Sequence, residues 1–351
     1  MAHELTIRAD GRAEFAYTGA AAWHGLGQEL PAGAPLETWR TAAGMDWTIR
    51  RSVARFFADE DTRADCFELC EVPGETVLFR SDTRAPLGIV SPDYEIVQPA
   101  QVLEFFRDLV AQHGMTLESA GTLFGGRRFF ALAKLGEQTI VGADRVGGYL
   151  LLCTSADGTM ATEARQTTVR VVCNNTLRLA RSEAGGAVAP VKLNHRQAFC
   201  DRRIKDQLGL SRDNFARGIA HAQELARIKV SNLAAADFVR RLLRPTEAAK
   251  DPAAQAAAII AAASAGAPAA PAKPQRAPRG EAAILELFAS SAMGGTLAGA
   301  EGTAWGLVNA VTEYVDHHAT ARSADHRRSS AWFGDGDALK LRALELAPSL
   351  A

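Results

Sequence analysis

Two glycine-centred turns constrain this chain more than any other feature. Met115 to Phe124 and Arg127 to Leu135 are β-like runs joined by Gly125-Gly126, a two-residue loop suited to a primed hairpin turn because both positions tolerate positive φ. Val146 to Thr154 and Thr159 to Cys173 repeat the arrangement around Asp157-Gly158. Hairpins join antiparallel neighbours, whereas parallel strands need long crossovers. Two hairpins following the helical stretch Pro99 to His113 therefore predict an antiparallel sheet rather than alternating βαβ units.

The flanking pattern completes an α+β design. From Val53 to Val97 the runs VARFF, CFELC, TVLFR, LGIV and YEIV read as short strands separated by Pro, Gly, Asp and Ser. Pro99 and Gly114 frame a helix with Val102, Phe106, Leu109 and His113 on one stripe. After Leu193 the pattern turns helical over His195 to Leu208, Ser211 to Ile228 and Ala235 to Leu243. An Ala- and Pro-rich stretch follows, in which Ala253 to Ala263 could be helical and Ser264 to Gly280 reads as a flexible linker. Further helices are expected over Glu281 to Ser290, Thr303 to Ala319 and Asp337 to Leu346. The expected organisation is an α+β core over residues 1–243, an antiparallel sheet with packed helices. An Ala/Pro-rich helix and linker over 244–280 and a small helical C-terminal region over 281–351 complete it. Trp305, Val308, Val311 and Val315 form the stripe by which that tail would dock on the sheet.

Composition narrows the compartment and the chemistry. With 351 residues and 47% hydrophobic content the chain can bury a substantial core, and a net charge of -1 gives no molecule-wide attraction for a polyanion. Any nucleic-acid surface must be local. Five scattered cysteines, Cys66, Cys70, Cys153, Cys173 and Cys200, read as reduced thiols of a cytoplasmic protein. The N-terminus has no apolar leader and no run approaches the roughly 18 residues of a membrane span, so no membrane partner is expected. There is no G-x-x-x-x-G-K-[ST] loop, G-x-G-x-x-G turn, G-x-S-x-G elbow or Cys-x-x-Cys pair. No cofactor and no nucleotide-driven activity are expected.

The residues that suggest a role are basic. In TVRVVCNNTLRLARS a mixed polar and basic strand runs into a helix start: Arg165, Gln166 and Arg170 lie on the strand, Asn174, Asn175 or Thr176 can cap the helix, and Arg178 and Arg181 follow one turn apart. Guanidinium and amide groups presented together suit phosphate, and such contacts make binding salt-dependent. The competing reading is a solvated helix face with internal ion pairs. Arg127 and Arg128 beside Phe129 and Phe130 interleave charge with aromatic rings able to stack on bases, against the plainer reading of a half-buried hairpin with arginines leaning outward. Asn309, Glu313, Asp316 and His317 fall on adjoining helical turns and could converge on a metal, though without a second His-x-x-x-His or Cys pair they lack a full zinc set. Cys173 near His195 and the Trp23-His24-Gly25 turn are more simply a core thiol and a turn.

WHGLG near the N-terminus, LGIVSPDYEIVQ, VRVVCNNTLRLA, TAWGLVNAVTEYVDHH and SAWFGDGDALK together resemble a family of phage- and plasmid-type proteins filed as a domain of unknown function, over about Trp23 to Leu339. The DHHATARSADHRR stretch looks like a variable part. That resemblance implies a mobile-element origin and work near DNA, and more distantly the chain is similar to phage single-strand annealing proteins, whose core is a helix packed on an antiparallel sheet. The leading expectation is an ATP-independent, homo-oligomeric single-stranded-DNA-binding protein of annealing or recombination-accessory type. The alternatives are a metal-assisted hydrolase or nuclease at Glu313, Asp316 and His317, and a host-directed interaction (anti-defence) protein.

Overall fold

The computed structural model describes residues 6–19, 26–58, 68–136, 139–170, 176–177, 188–208, 212–243, 280–293 and 295–351. The WHG motif at Trp23 to Gly25, the Ala253 to Ala263 helix, the linker up to residue 279, Cys66 and Cys173 lie outside them. The architecture is α+β. In chain order the strands are β1 (Phe15–Tyr17), β2 (Gln28–Glu29), β3 (Ile49–Ala58), β4 (Glu68–Arg80), β5 (Pro86–Val90), β6 (Thr116–Leu123), β7 (Arg128–Lys134), β8 (Thr139–Val141), β9 (Asp144–Ser155), β10 (Thr162–Arg170), β11 (Thr176–Leu177) and β12 (Val191–Leu193). Among the described residues these form a nine-stranded sheet with spine β11-β10-β9-β7-β6-β1-β2, where β12 pairs β10 and β8 pairs β9. A separate three-stranded sheet runs β3-β4-β5. The two expected hairpins, β6–β7 and β9–β10, are antiparallel neighbours in the large sheet, although β9 lies between β7 and β10. A short parallel pairing of β1 with β2 makes that sheet mixed.

The helices are α1 (Leu36–Ala42), α2 (Pro99–Glu104), α3 (Arg107–His113), α4 (Asp201–Leu208), α5 (Arg212–Leu225), α6 (Asn232–Leu243), α7 (Glu281–Glu286), α8 (Ala304–Glu313), α9 (Ala324–Phe333) and α10 (Asp335–Leu346). Three expectations change. The Pro99 to His113 helix breaks at Phe105 and Phe106, whose rings pack edge to face and are both buried. Gly114 still ends the second piece with φ 62. The described part of the CFELC run, from Glu68, and TVLFR become one strand, because Pro73-Gly74 sits at a register shift rather than a chain reversal. YEIV forms no strand: Tyr94 stacks on His195 and the Glu95 N–H donates to the His195 carbonyl at 2.6 Å, so this segment pairs with a loop. Both α7 and α8 end in a wider π turn, Leu287–Ser291 and Tyr314–His318.

Strand alternation splits the large sheet's side chains between two cores. Phe129, Ala131 and Ala133 of β7 with Leu150 and Leu152 of β9 face Trp39 of α1, Val102 and Leu103 of α2, Leu109 of α3 and Leu78 of the small sheet. Phe130 and Leu132 with Tyr149, Leu151 and Cys153 face the other way, against Phe15 and, from α9, Trp332. The C-terminal helices make a third core in which Trp305, Val308 and Val311 of α8 pack with Phe238 of α6, and which reaches the sheet through Val141 and Val146. Trp305 Nε1 donates to Asp144 at 3.1 Å, so the tail is fixed to the start of β9. No helix of the described residues is long and apolar enough to cross a membrane.

A buried ionic network links the small sheet to the large one. Arg80, the last residue of β4, grips Glu14 with both terminal nitrogens at 3.0 and 2.6 Å and also reaches Asp82 at 2.8 Å. Glu14 accepts as well from Thr122 of β6 and from Arg8 at 3.2 Å. The guanidinium lies 4.2 Å above the Trp47 ring. Burial lowers the guanidinium pKa, but the bonds to Glu14 and Asp82 outweigh it and hold it above its ordinary value.

Candidate functional site

The Gly125-Gly126 connection is not a two-residue primed turn. Phe124, Gly125 and Gly126 have φ of 55, 71 and 93, three successive residues in the left-handed region. The glycines adopt it freely, whereas Phe124 is strained by about 1–3 kcal/mol. The surroundings enforce the shape: a Cβ on Gly126 would lie 2.8 Å from Trp47 Cζ2, and Arg80 Nη1 donates to the Gly125 carbonyl at 3.4 Å. The Glu14–Arg80 network therefore sets the path of this turn, and the turn aims Phe124, Arg127 and Arg128 outward.

They line an open cleft of about 520 Å³. One wall is this turn with Asp157, Thr159 and Met160 of the β9–β10 connection, and the other is His326, Ser329 and Ser330 of α9 with Gly334 and Asp335 at the α9–α10 junction. Ser323 caps α9, its hydroxyl accepting the His326 N–H at 3.2 Å. Trp332 meets Phe130 edge to face at 5.2 Å and seats α9 on the sheet. Arg128 lies 5.2 Å from the Phe124 centroid and donates to the hydroxyls of Ser329 and, at 3.1 Å, Thr159. His326 meets the same phenyl ring edge-on at 5.1 Å. Arg127 is exposed. Asp157 accepts from the Thr159 N–H at 3.0 Å and its hydroxyl at 2.6 Å, which fixes the β9–β10 part of the first wall.

A second hollow of about 260 Å³ adjoins the first, sharing Thr159 and Met160, and is lined also by Tyr94, His195 and Arg196. Tyr94 and His195 stack at 4.4 Å and 12°. The Tyr94 hydroxyl donates to the Ser155 carbonyl at 2.9 Å, and burial pushes its pKa up to about 12. Arginines thus stand on both sides of the β9–β10 connection.

The other sequence candidates are placed differently. Arg165 is inside: its Nη1 contacts Asp337 of α10 at 3.0 Å and Glu163 at 3.4 Å, tying sheet to helix rather than facing a groove. Gln166, on the opposite face of β10, is also buried. The Arg170 side chain, Asn174, Asn175, Arg178 and Arg181 lie outside the described residues. Asn309, Glu313 and Asp316 do not converge: Asn309 donates to the Trp305 carbonyl at 2.8 Å, Glu313 accepts from the Met293 N–H at 3.0 Å, and Asp316 pairs with Lys340 at 2.8 Å. Lys340 is fully buried, which lowers its pKa despite that carboxylate. His317 is part-exposed, its carbonyl taking Arg327. Among the described residues no group of three or more His, Cys, Asp or Glu side chains is placed to hold a metal. Cys153 is buried, and desolvation raises its thiol pKa.

Sequence reasoning missed the α9 wall. His326 belongs to the DHHATARSADHRR stretch read as variable, Ser330 and Asp335 to SAWFGDGDALK, read only as part of the family resemblance, and Ser329 lies between the two. The signal this wall carried was Ser323 followed by Ala-Asp-His, an N-cap with acid in the first turn.

The family model described as "Domain of unknown function (DUF932)" matches residues 86–332, a span that carries both the Phe124–Arg128 turn and most of α9. No curated protein and no solved structure matches the chain.

Proposed function

This chain belongs to the DUF932 family, and from its cleft we propose that it binds single-stranded nucleic acid without consuming nucleotide, in an annealing or recombination-accessory role. The supporting observation is the clustering of Arg127, Arg128, His326 and the Phe124 ring in one open cleft with the hydroxyls of Thr159, Ser329 and Ser330. Arginine forks and hydroxyls hold phosphate oxygens, and an aromatic ring beside them offers a face to a base. Two carboxylates in the cleft, Asp157 on one wall and Asp335 on the other, would discriminate between polyanions. They would repel a simple sulfated or phosphate polymer, but carboxylates accept hydrogen bonds from exocyclic amino groups of bases. A ligand that presents phosphates and amino-bearing bases together matches both sets. The open shape and the adjoining hollow at Arg196 suit a strand that enters and leaves better than a closed mononucleotide.

The test is fluorescence anisotropy of a labelled mixed-sequence oligonucleotide across a salt series. Arg127→Ala/Arg128→Ala should weaken binding at least about tenfold. It should also flatten the slope of log K against log salt by roughly 0.7 for each phosphate that is no longer neutralised. Arg127 is exposed and Arg128 opens β7 half-buried, with bonds to Ser329 and Thr159, so circular dichroism should show the fold intact and the thermal midpoint should fall by only a few degrees. Unchanged affinity and slope in the folded double variant would overturn the assignment.

A further inference from the structure

Five of the ten large apolar side chains exposed among the described residues, Val53, Phe56, Phe57, Leu69 and Ile89, belong to the β3-β4-β5 sheet, and strand alternation puts Phe57 and Leu69 on one face and Phe56 on the other. Contiguous exposed apolar groups mark an interaction surface, where scattered ones do not, so the pair that matters is Phe57 with Leu69. The β3–β4 pair forms an arm whose strands run past the end of β5, and beyond its register shift Arg55 pairs with Glu71 and Phe57 with Leu69. Residues two apart on each strand share a face, so these four form one patch. Phe57 is 66% and Leu69 49% exposed, and the Arg55–Glu71 ion pair, 3.4 Å, is open to solvent on both sides. The charge is divided by strand. Ile49–Ala58 carries Arg50, Arg51 and Arg55 and no acid, while the outer part of β4 carries Glu68, Glu71 and Glu75 and no base before Arg80.

We infer that this face of the β3–β4 arm is a self-association surface whose partner is the same face of a second copy of the chain. A two-fold axis running along the arm lays β3 of one copy over β4 of the other, which sets Arg55 against Glu71 and Phe57 against Leu69 twice over. Isologous contacts of this kind need a self-complementary patch, and a basic strand beside an acidic one supplies it. Pairing through the β3 edge is disfavoured, because it would align the three arginines of each strand with nothing acidic to oppose them. The inference is independent of the cleft, which lies on other elements.

Charge reversal makes the test specific. Arg55→Glu alone would place Glu against Glu at both contacts, and Glu71→Arg alone would place Arg against Arg. Mixing the two variants restores complementarity at both contacts at once. Analytical ultracentrifugation over a concentration series should show a dimer for the unchanged protein, a monomer for each single variant and a dimer again for the equimolar mixture. Circular dichroism should match throughout, since both side chains are exposed. Phe57→Ser should give a monomer as well. A monomeric unchanged protein, or a mixture that stays monomeric, overturns the inference. If Phe57→Ser lowers oligonucleotide affinity while the mass never exceeds a monomer, the patch is a strand-binding platform instead and self-association is refuted. Arg127→Ala/Arg128→Ala should leave the mass unchanged, which separates this outcome from failure of the cleft reading.

Discussion

Removing Arg80 should destabilise the fold far more than a typical arginine substitution, and the reason is the carboxylate left behind. Glu14 is completely buried, and Arg80, itself 2% exposed, gives it two of its hydrogen bonds. Stripping one partner from a buried ion pair costs about 3–5 kcal/mol, because the remaining charge is neither hydrated nor matched. Arg8 stays within 3.2 Å of Glu14 and Thr122 still donates to it, which argues for the low end, about 3 kcal/mol. Loss of the stacking on Trp47 adds about 0.5–1 kcal/mol. Urea unfolding followed by circular dichroism should therefore show Arg80→Met lower by about 3–4 kcal/mol with an unchanged m-value. Glu14→Met/Arg80→Met removes both charges, so the cost of the double variant should fall short of the summed single costs by about 2 kcal/mol or more. Because Arg80 also fixes the Gly125 carbonyl, Arg80→Met should weaken oligonucleotide binding although it does not line the cleft. A cost for Arg80→Met below about 1 kcal/mol, or strictly additive singles, would refute this account of the network.

Other outcomes follow from the same structure. Trp305→Ala, at a buried ring bonded to Asp144, should cost about 3–5 kcal/mol by thermal or urea unfolding. Phe124→Gly relieves a left-handed phenylalanine but removes its packing against Arg128 and His326; stability should change by less than about 1 kcal/mol while oligonucleotide affinity drops. The folded pKa of Tyr94, about 12, lies above its ordinary 10.0, so its contribution to stability is complete below pH 10 and is lost as pH climbs from there through 12. Tyrosinate absorbance in Tyr94→Phe should accordingly lack a component that in the unchanged protein rises only toward pH 12.

The sheet was legible because hairpin signals are local. Gly125-Gly126 and Asp157-Gly158 each mark a reversal within a dozen residues, and α2, α5, α6 and α8 announced themselves by periodicity and by punctuation such as Pro99 at the start of α2. What failed depended on distant partners. YEIV has strand composition, but its backbone finds its partner in the His195 loop, about 100 residues away. Arg165 looked like a phosphate ligand in its strand, yet Asp337 of α10 claims it from 172 residues further on. Of the basic residues singled out, Arg127 and Arg128 do reach an open cleft, where Phe124 rather than Phe129 or Phe130 supplies the ring, since both of those are buried. The facing wall was invisible because α9 carries little amphipathic signal and is fixed by tertiary contacts, chiefly Trp332 on Phe130.

The most direct test is to ask which side chains a bound strand touches. Oligonucleotides carrying photoreactive 4-thiothymidine, irradiated with the unchanged protein and digested for mass spectrometry, should crosslink to peptides spanning Phe124 to Arg128 and His326 to Asp335. Arg127→Ala/Arg128→Ala should abolish both signals together. Crosslinks confined to other segments, with the Phe124–Arg128 peptide unlabelled at saturating oligonucleotide, would contradict the assignment of this cleft.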